Sequence, residues 1–138
     1  LQALAANCTI GRQEIEIAML IYEVNLEVAD EINFKVAAWL SEHINKMLTF
    51  KGFKIAQWFF RKPEDEGRDA TDVTLWTIQY LVEDRPSLDE YFSQHAVKVR
   101  EEAEEKFGDK LVVTRRVLQL LSVAGYPAGE GPTTEPKT

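Results

Sequence analysis

Cysteine is almost absent from this chain: Cys8 is the only one. One thiol excludes an internal disulfide and a cysteine-rich metal cluster, and it fits a reducing compartment, so a cytoplasmic location is expected. Histidine is nearly as scarce, with only His43 and His95. Neither the His-x-x-x-His nor the Glu-x-x-His spacing occurs, so no metal site is expected. No segment approaches the roughly 18 consecutive apolar residues of a membrane span. Positive charge is in deficit, with 16 Lys and Arg against 23 Asp and Glu and a formal net charge of −7. An acidic surface repels phosphate, so neither nucleic acid nor an anionic membrane is an expected partner. A glycine-rich phosphate cradle, a nucleophile elbow and a calcium loop are missing as well, and no cofactor is expected.

What remains is a chain of 138 residues, 45% hydrophobic, which is enough to bury a core without staples. Residues 1–18 have a short apolar run and no basic start, unlike a signal peptide. Strong patterning begins at Met19, so 1–18 read as an N-terminal extension and Met19 as a candidate natural start. The Asn7-Cys8-Thr9 sequon is read as a chance match.

Residues 19–122 carry the domain pattern. Ile21–Val28 alternates, with Tyr22, Val24, Leu26 and Val28 on one face and Glu23, Asn25 and Glu27 on the other, as a strand does. Asp30 is placed to cap a helix whose apolar stripe runs from Ile32 through Val36, Leu40 and Met47 to Leu48. Gly52 supplies a turn before an aromatic strand, Phe53–Arg61. A charged loop, Lys62–Asp72, leads to a third strand, Val73–Val82. Ser87 and Glu90 have capping-box spacing at the start of a second helix that runs to Phe107 and ends at Gly108. Lys110–Leu121 reads as a fourth strand, and 123–138 as a flexible Pro/Gly-rich tail.

The order β-α-β-β-α-β is that of a ferredoxin-like α+β fold, a four-stranded antiparallel sheet with two helices on one face. The two halves also overlay. One constant offset carries Trp39-Leu40-Ser41-Glu42-His43 onto Tyr91-Phe92-Ser93-Gln94-His95, and Val24, Asn25 and Leu26 onto Trp76, Thr77 and Ile78. Right-handed crossovers put both helices on one side of the sheet. The other side then carries Ile21, Ile55, Phe59, Leu75 and Leu81 with nothing in the chain to cover them. Such a face marks an interface, and these five are the expected contacts of a homodimer packed sheet on sheet.

LIYEVNLEV, WLSEHINKMLTFKGFKIAQWF, LWTIQYLVEDRPSLDEYFSQHAVKVREEAEEKFGDK and TRRVLQLL together resemble an uncharacterised bacterial family of short proteins in the dimeric α/β-barrel superfamily. More distantly the chain is similar to antibiotic-biosynthesis-type monooxygenases. The resemblance implies a barrel-type dimer able to enclose a small organic ligand, and it brings no activity with it.

The candidate pocket-lining residues are His43, His95, Glu23, Asn25, Glu27, Gln57, Arg61, Thr77, Gln79 and Arg115, with Arg116 the alternative to Arg115. Each histidine falls inside a helix, where it serves either proton transfer or plain packing. The strand residues form either a ligand pocket with a carboxylate base and an arginine clamp, or a hydrated, salt-bridged interior that only specifies the dimer. Trp39, Trp58, Trp76 and the neighbouring aromatics either stack a flat ligand or fill a core. The expected role is an unassigned dimeric domain that binds a small ligand between sheet and helices. The alternatives are a monooxygenase-like enzyme acting on a small organic substrate, and an adaptor or subunit of a larger complex.

Overall fold

The computed structural model describes residues 8–10, 13–15, 19–69 and 72–125. The tail from residue 126 onward and Asn7 of the sequon lie outside these described residues. The chain divides into two compact units, Ala18–Gln119 and the two chain ends together. Within the unit formed by the ends, Cys8–Ile10 pairs antiparallel with Gln13–Ile15, a strand pair that the sequence pattern did not indicate. Leu120–Gly125 has no regular structure.

The larger unit is α+β. Its elements are β1 (Leu20–Ala29), α1 (Asn33–Met47), β2 (Phe53–Arg61), β3 (Val73–Val82), α2 (Arg85–Gln94), α3 (Ala96–Phe107) and β4 (Leu111–Gln119). The four strands form an open sheet in the order β2-β3-β1-β4, with every neighbouring pair antiparallel. Three helices stand where two were expected, because the second helical stretch breaks at His95. There the backbone leaves the helical region (φ −128°, ψ −29°) while the imidazole stacks on Phe50 with ring centres 4.3 Å apart. His95 is therefore a junction residue and not a mid-helix one.

Alternation along the strands puts one set of side chains under the helices. Leu20, Tyr22, Leu26 and Val28 of β1 and Ile78, Tyr80 and Val82 of β3 pack on Val36, Leu40, Met47, Leu88, Tyr91, Ala96 and Val99 from the three helices. Burying each of the larger of these side chains stabilises the fold by about 1.5–3 kcal/mol before conformational entropy is set against it. The edge strand β2 is less well covered. Trp58 and Phe60 point to the helix side and remain exposed, and Trp58 meets Trp76 edge-on at 5.1 Å.

The helix starts differ from the sequence expectation. Asp30 opens a short 3-10 turn, Asp30–Ile32, and makes no side-chain cap; its carboxylate accepts the Thr74 hydroxyl at 2.7 Å instead. Helix α2 is capped by Asp84, which accepts the Ser87 backbone N–H at 2.9 Å. Ser87 sits within the first turn, against Gly52.

Candidate functional site

The strand register arranges the side of the sheet opposite the described helices in rows that cross all four strands. Ile55, Leu81, Ile21 and Leu118 form an apolar row. The next row is entirely polar: Gln57, Gln79, Glu23 and Arg116. Phe59, Thr77, Asn25 and Thr114 follow, then Arg61, Leu75, Glu27 and Val112. These rows exist because the side-chain period of a strand is two and the pairings run without a break from Ile55 onward, past a register shift between Phe53 and Ile55 in the β2–β3 pair.

Glu23 is the hub. It is only 4% exposed, on the face opposite the described helices. Its carboxylate accepts Arg116 Nε at 2.6 Å, Gln79 Nε2 at 2.9 Å and Asn25 Nδ2 at 3.0 Å. Burial by itself pushes the Glu23 pKa up, but the hydrogen bonds from Arg116, Asn25 and Gln79 outweigh it and hold the group below the usual carboxylate value. The network continues outward. Thr77 donates to Asn25 Oδ1 at 2.6 Å, and Arg61 reaches Thr77 and the Trp76 carbonyl. Glu66, from the loop after β2, clamps Arg61 with two bonds of 2.7 and 3.0 Å and thereby raises its pKa further. Arg68 from the same loop reaches Glu27 at 3.4 Å. Two shallow concavities of about 360 and about 460 Å³ lie over this floor, and both include Glu23, Asn25, Arg61 and Arg116.

A family model described as a domain of unknown function, DUF4286, matches residues 19–121. The chain belongs to the DUF4286 family. No curated protein and no solved structure matches it, so the distant likeness to monooxygenases gains no support from relatives.

The DUF4286 domain divides the ten sequence-selected lining residues between two sides of the sheet. Glu23, Asn25, Glu27, Gln57, Arg61, Thr77 and Gln79 share the side opposite the described helices. Arg115 does not join them. It pairs with Val24 and points to the helix side, whereas Arg116 is the arginine that meets Glu23. His43 also lies on the helix side, stacked on Trp39 at 4.6 Å, and lines a cavity of about 40 Å³ between the sheet and the helices. That volume suits one or two waters, not a drug-sized molecule, for which roughly 300 Å³ or more is usual. Burial and the nearby Lys46 push the His43 pKa down to about 4, so the imidazole is neutral at physiological pH.

Among the expected interface residues, Leu75 requires correction. It is 0% exposed within the single chain. Its cross-strand neighbours are Arg61 and Glu27, the two side chains that Glu66 and Arg68 of the following loop hold in place. Ile55 and Phe59 are open, at 52% and 42% exposure, and Ile21 and Leu81 are half-buried. Sequence reasoning did not single out Glu66, Arg68 or Thr114. The mixed loop charges give no geometric signal of their own, and only the register reveals which strand residues they face.

Among the described residues no group of three or more His, Cys, Asp or Glu side chains is placed to hold a metal ion. No described helix is long and apolar enough to cross a membrane.

Proposed function

We propose that the DUF4286 domain is a ferredoxin-like βαββαβ unit that works as a small-ligand-binding homodimer, two copies facing each other across their uncovered sheet sides. The observation that carries this reading is the row pattern. An apolar row across all four strands sits beside a polar row whose central carboxylate is almost fully buried, on the face opposite the described helices. A second copy related by a two-fold axis buries Ile55 and Phe59 and encloses the Glu23 network as the lining of a chamber. Binding is favoured over catalysis because the acid–base groups are already committed. Glu23 spends its lone pairs on three donors, and His43 is too weak a base near neutrality.

Sedimentation tests the association directly. The unmodified protein should sediment at twice the 15.8 kDa chain mass. Phe59→Glu should shift it to monomer while far-ultraviolet circular dichroism is retained. A monomeric unmodified protein at tens of micromolar sinks the reading. Native mass spectrometry of the dimer then reports any co-purifying ligand.

A further inference from the structure

The helix side of the sheet carries a second cluster, and nothing in the preceding proposal uses it. Arg100 of α3 and Arg115 of β4 both line the small cavity between sheet and helices. They also line a groove of about 200 Å³ that shares Ala103, Leu111 and Val113 with the cavity and so forms its mouth. Arg100 reaches the Tyr22 hydroxyl at 3.5 Å. Tyr91 lines the same cavity as the two arginines, and burial raises its pKa while Arg100 and Arg115 both oppose that shift. Among the described residues neither arginine is in an ion pair. Glu104 is the one carboxylate lining the groove, and it lies beyond ion-pair distance of both. In a chain of net charge −7, two exposed guanidinium groups without an ion-pair partner among the described residues stand at one cavity mouth, and such groups suit an anion.

We propose that Arg100 and Arg115 bind the carboxylate of a small organic acid whose short apolar end enters the cavity lined by Trp39, Leu40 and Met47. The guanidinium pair supplies the charge and the Tyr22 and Tyr91 hydroxyls supply further donors. The apolar walls prefer a hydrocarbon end to a fully hydrated oxyanion, since phosphate would leave its remaining oxygens facing Leu40 and Met47. A cavity of about 40 Å³ restricts that end to a few carbon atoms. This site lies on the opposite side of the sheet from the dimer chamber, so the two proposals stand or fall separately.

Butyrate is the probe, with phosphate as charge without a tail and butyramide as a tail without charge. Titration into the 15N-labelled full chain should give saturable shifts at the Arg100 and Arg115 side chains and the Trp39 indole with butyrate. Phosphate and butyramide should bind at least tenfold more weakly. Arg100→Gln and Arg115→Gln should each weaken butyrate at least tenfold, with the circular dichroism spectrum retained, and Arg85→Gln, at an exposed arginine paired with Asp89 away from the cavity, should leave it unchanged. Phosphate binding as tightly as butyrate overturns the role of the cavity. An absence of saturable shifts with butyrate, or equal weakening by Arg85→Gln, overturns the site.

Discussion

The Thr77 hydroxyl donates to Asn25 Oδ1 at 2.6 Å, and these two residues are also direct partners in the β1–β3 register. The offset that overlays the two halves of the sequence carries Asn25 onto Thr77 as well. In an antiparallel pair, a residue and its repeat-mate can face each other at one position only. The local two-fold of the β1–β3 pair that agrees with this offset therefore passes through this hydrogen bond. The polar network is built outward from it on both sides, to Glu23 through Asn25 and to Arg61 through Thr77.

Replacing Thr77 with Val keeps the shape and removes the hydroxyl. Asn25 Oδ1 then loses its donor and Arg61 loses one acceptor in a part-buried setting. The expected cost is about 1–2 kcal/mol in urea unfolding. Asn25→Ala in the same background should cost less than it does alone, because the partners belong to one network. Strict additivity of the two substitutions counts against a coupled network.

Glu23→Gln tests the hub. A carboxylate whose pKa is depressed on folding stabilises the protein above its ordinary value of 4.5, and that stability is lost as pH falls through the lowered folded value. Arg116 has a side chain 65% exposed, so solvent screens its share, and the part-buried bonds to Asn25 and Gln79 contribute beside it. The variant should lose about 1–3 kcal/mol at pH 7. Unmodified protein and variant should converge in stability toward pH 3. Parallel pH profiles contradict the assigned role.

Much of this arrangement is readable from the residues. In β1 every second residue is apolar, and in β3 the repeat confirms the faces, so Glu23, Asn25, Thr77 and Gln79 fall together without coordinates. In β4 the apolar pairs Val112-Val113 and Val117-Leu118 make both parities equally plausible, and only the pairing with β1 decides that Arg116 and not Arg115 meets Glu23. Leu75 was misplaced for a related reason. Its face was legible, but the loop side chains that close over its neighbours are polar and carry no periodicity. The break at His95 left no mark either, since Leu88, Tyr91, Phe92, His95 and Val99 keep helical spacing through it.

Gly52 joins α1 to β2 with φ +84°, a region that disfavours any side chain. A Cβ there would stand 2.3 Å from the Ser87 Cβ in the first turn of α2. Gly52→Ala should cost about 2–3 kcal/mol, from backbone strain plus a clash between two packed segments. Adding Ser87→Gly should recover only the part due to the clash. Full recovery in thermal melts would show that the left-handed backbone contributes nothing.

His43 sets a second pH dependence, distinct from that of Glu23. Its folded pKa of about 4 lies below the ordinary 6.5, so between those values the unfolded chain holds a proton that the folded chain does not. Stability must therefore rise with pH across that window and level off above it, by up to about 3 kcal/mol. His43→Phe keeps the stack on Trp39 and removes the titration, so its profile should be flat from pH 5 to pH 7. The imidazole C–H resonances of His43 should likewise show no titration above pH 5. A midpoint near 6.5 would mean that the ring is hydrated in the folded protein, and His43 would then return as a proton-transfer group suited to neutral pH.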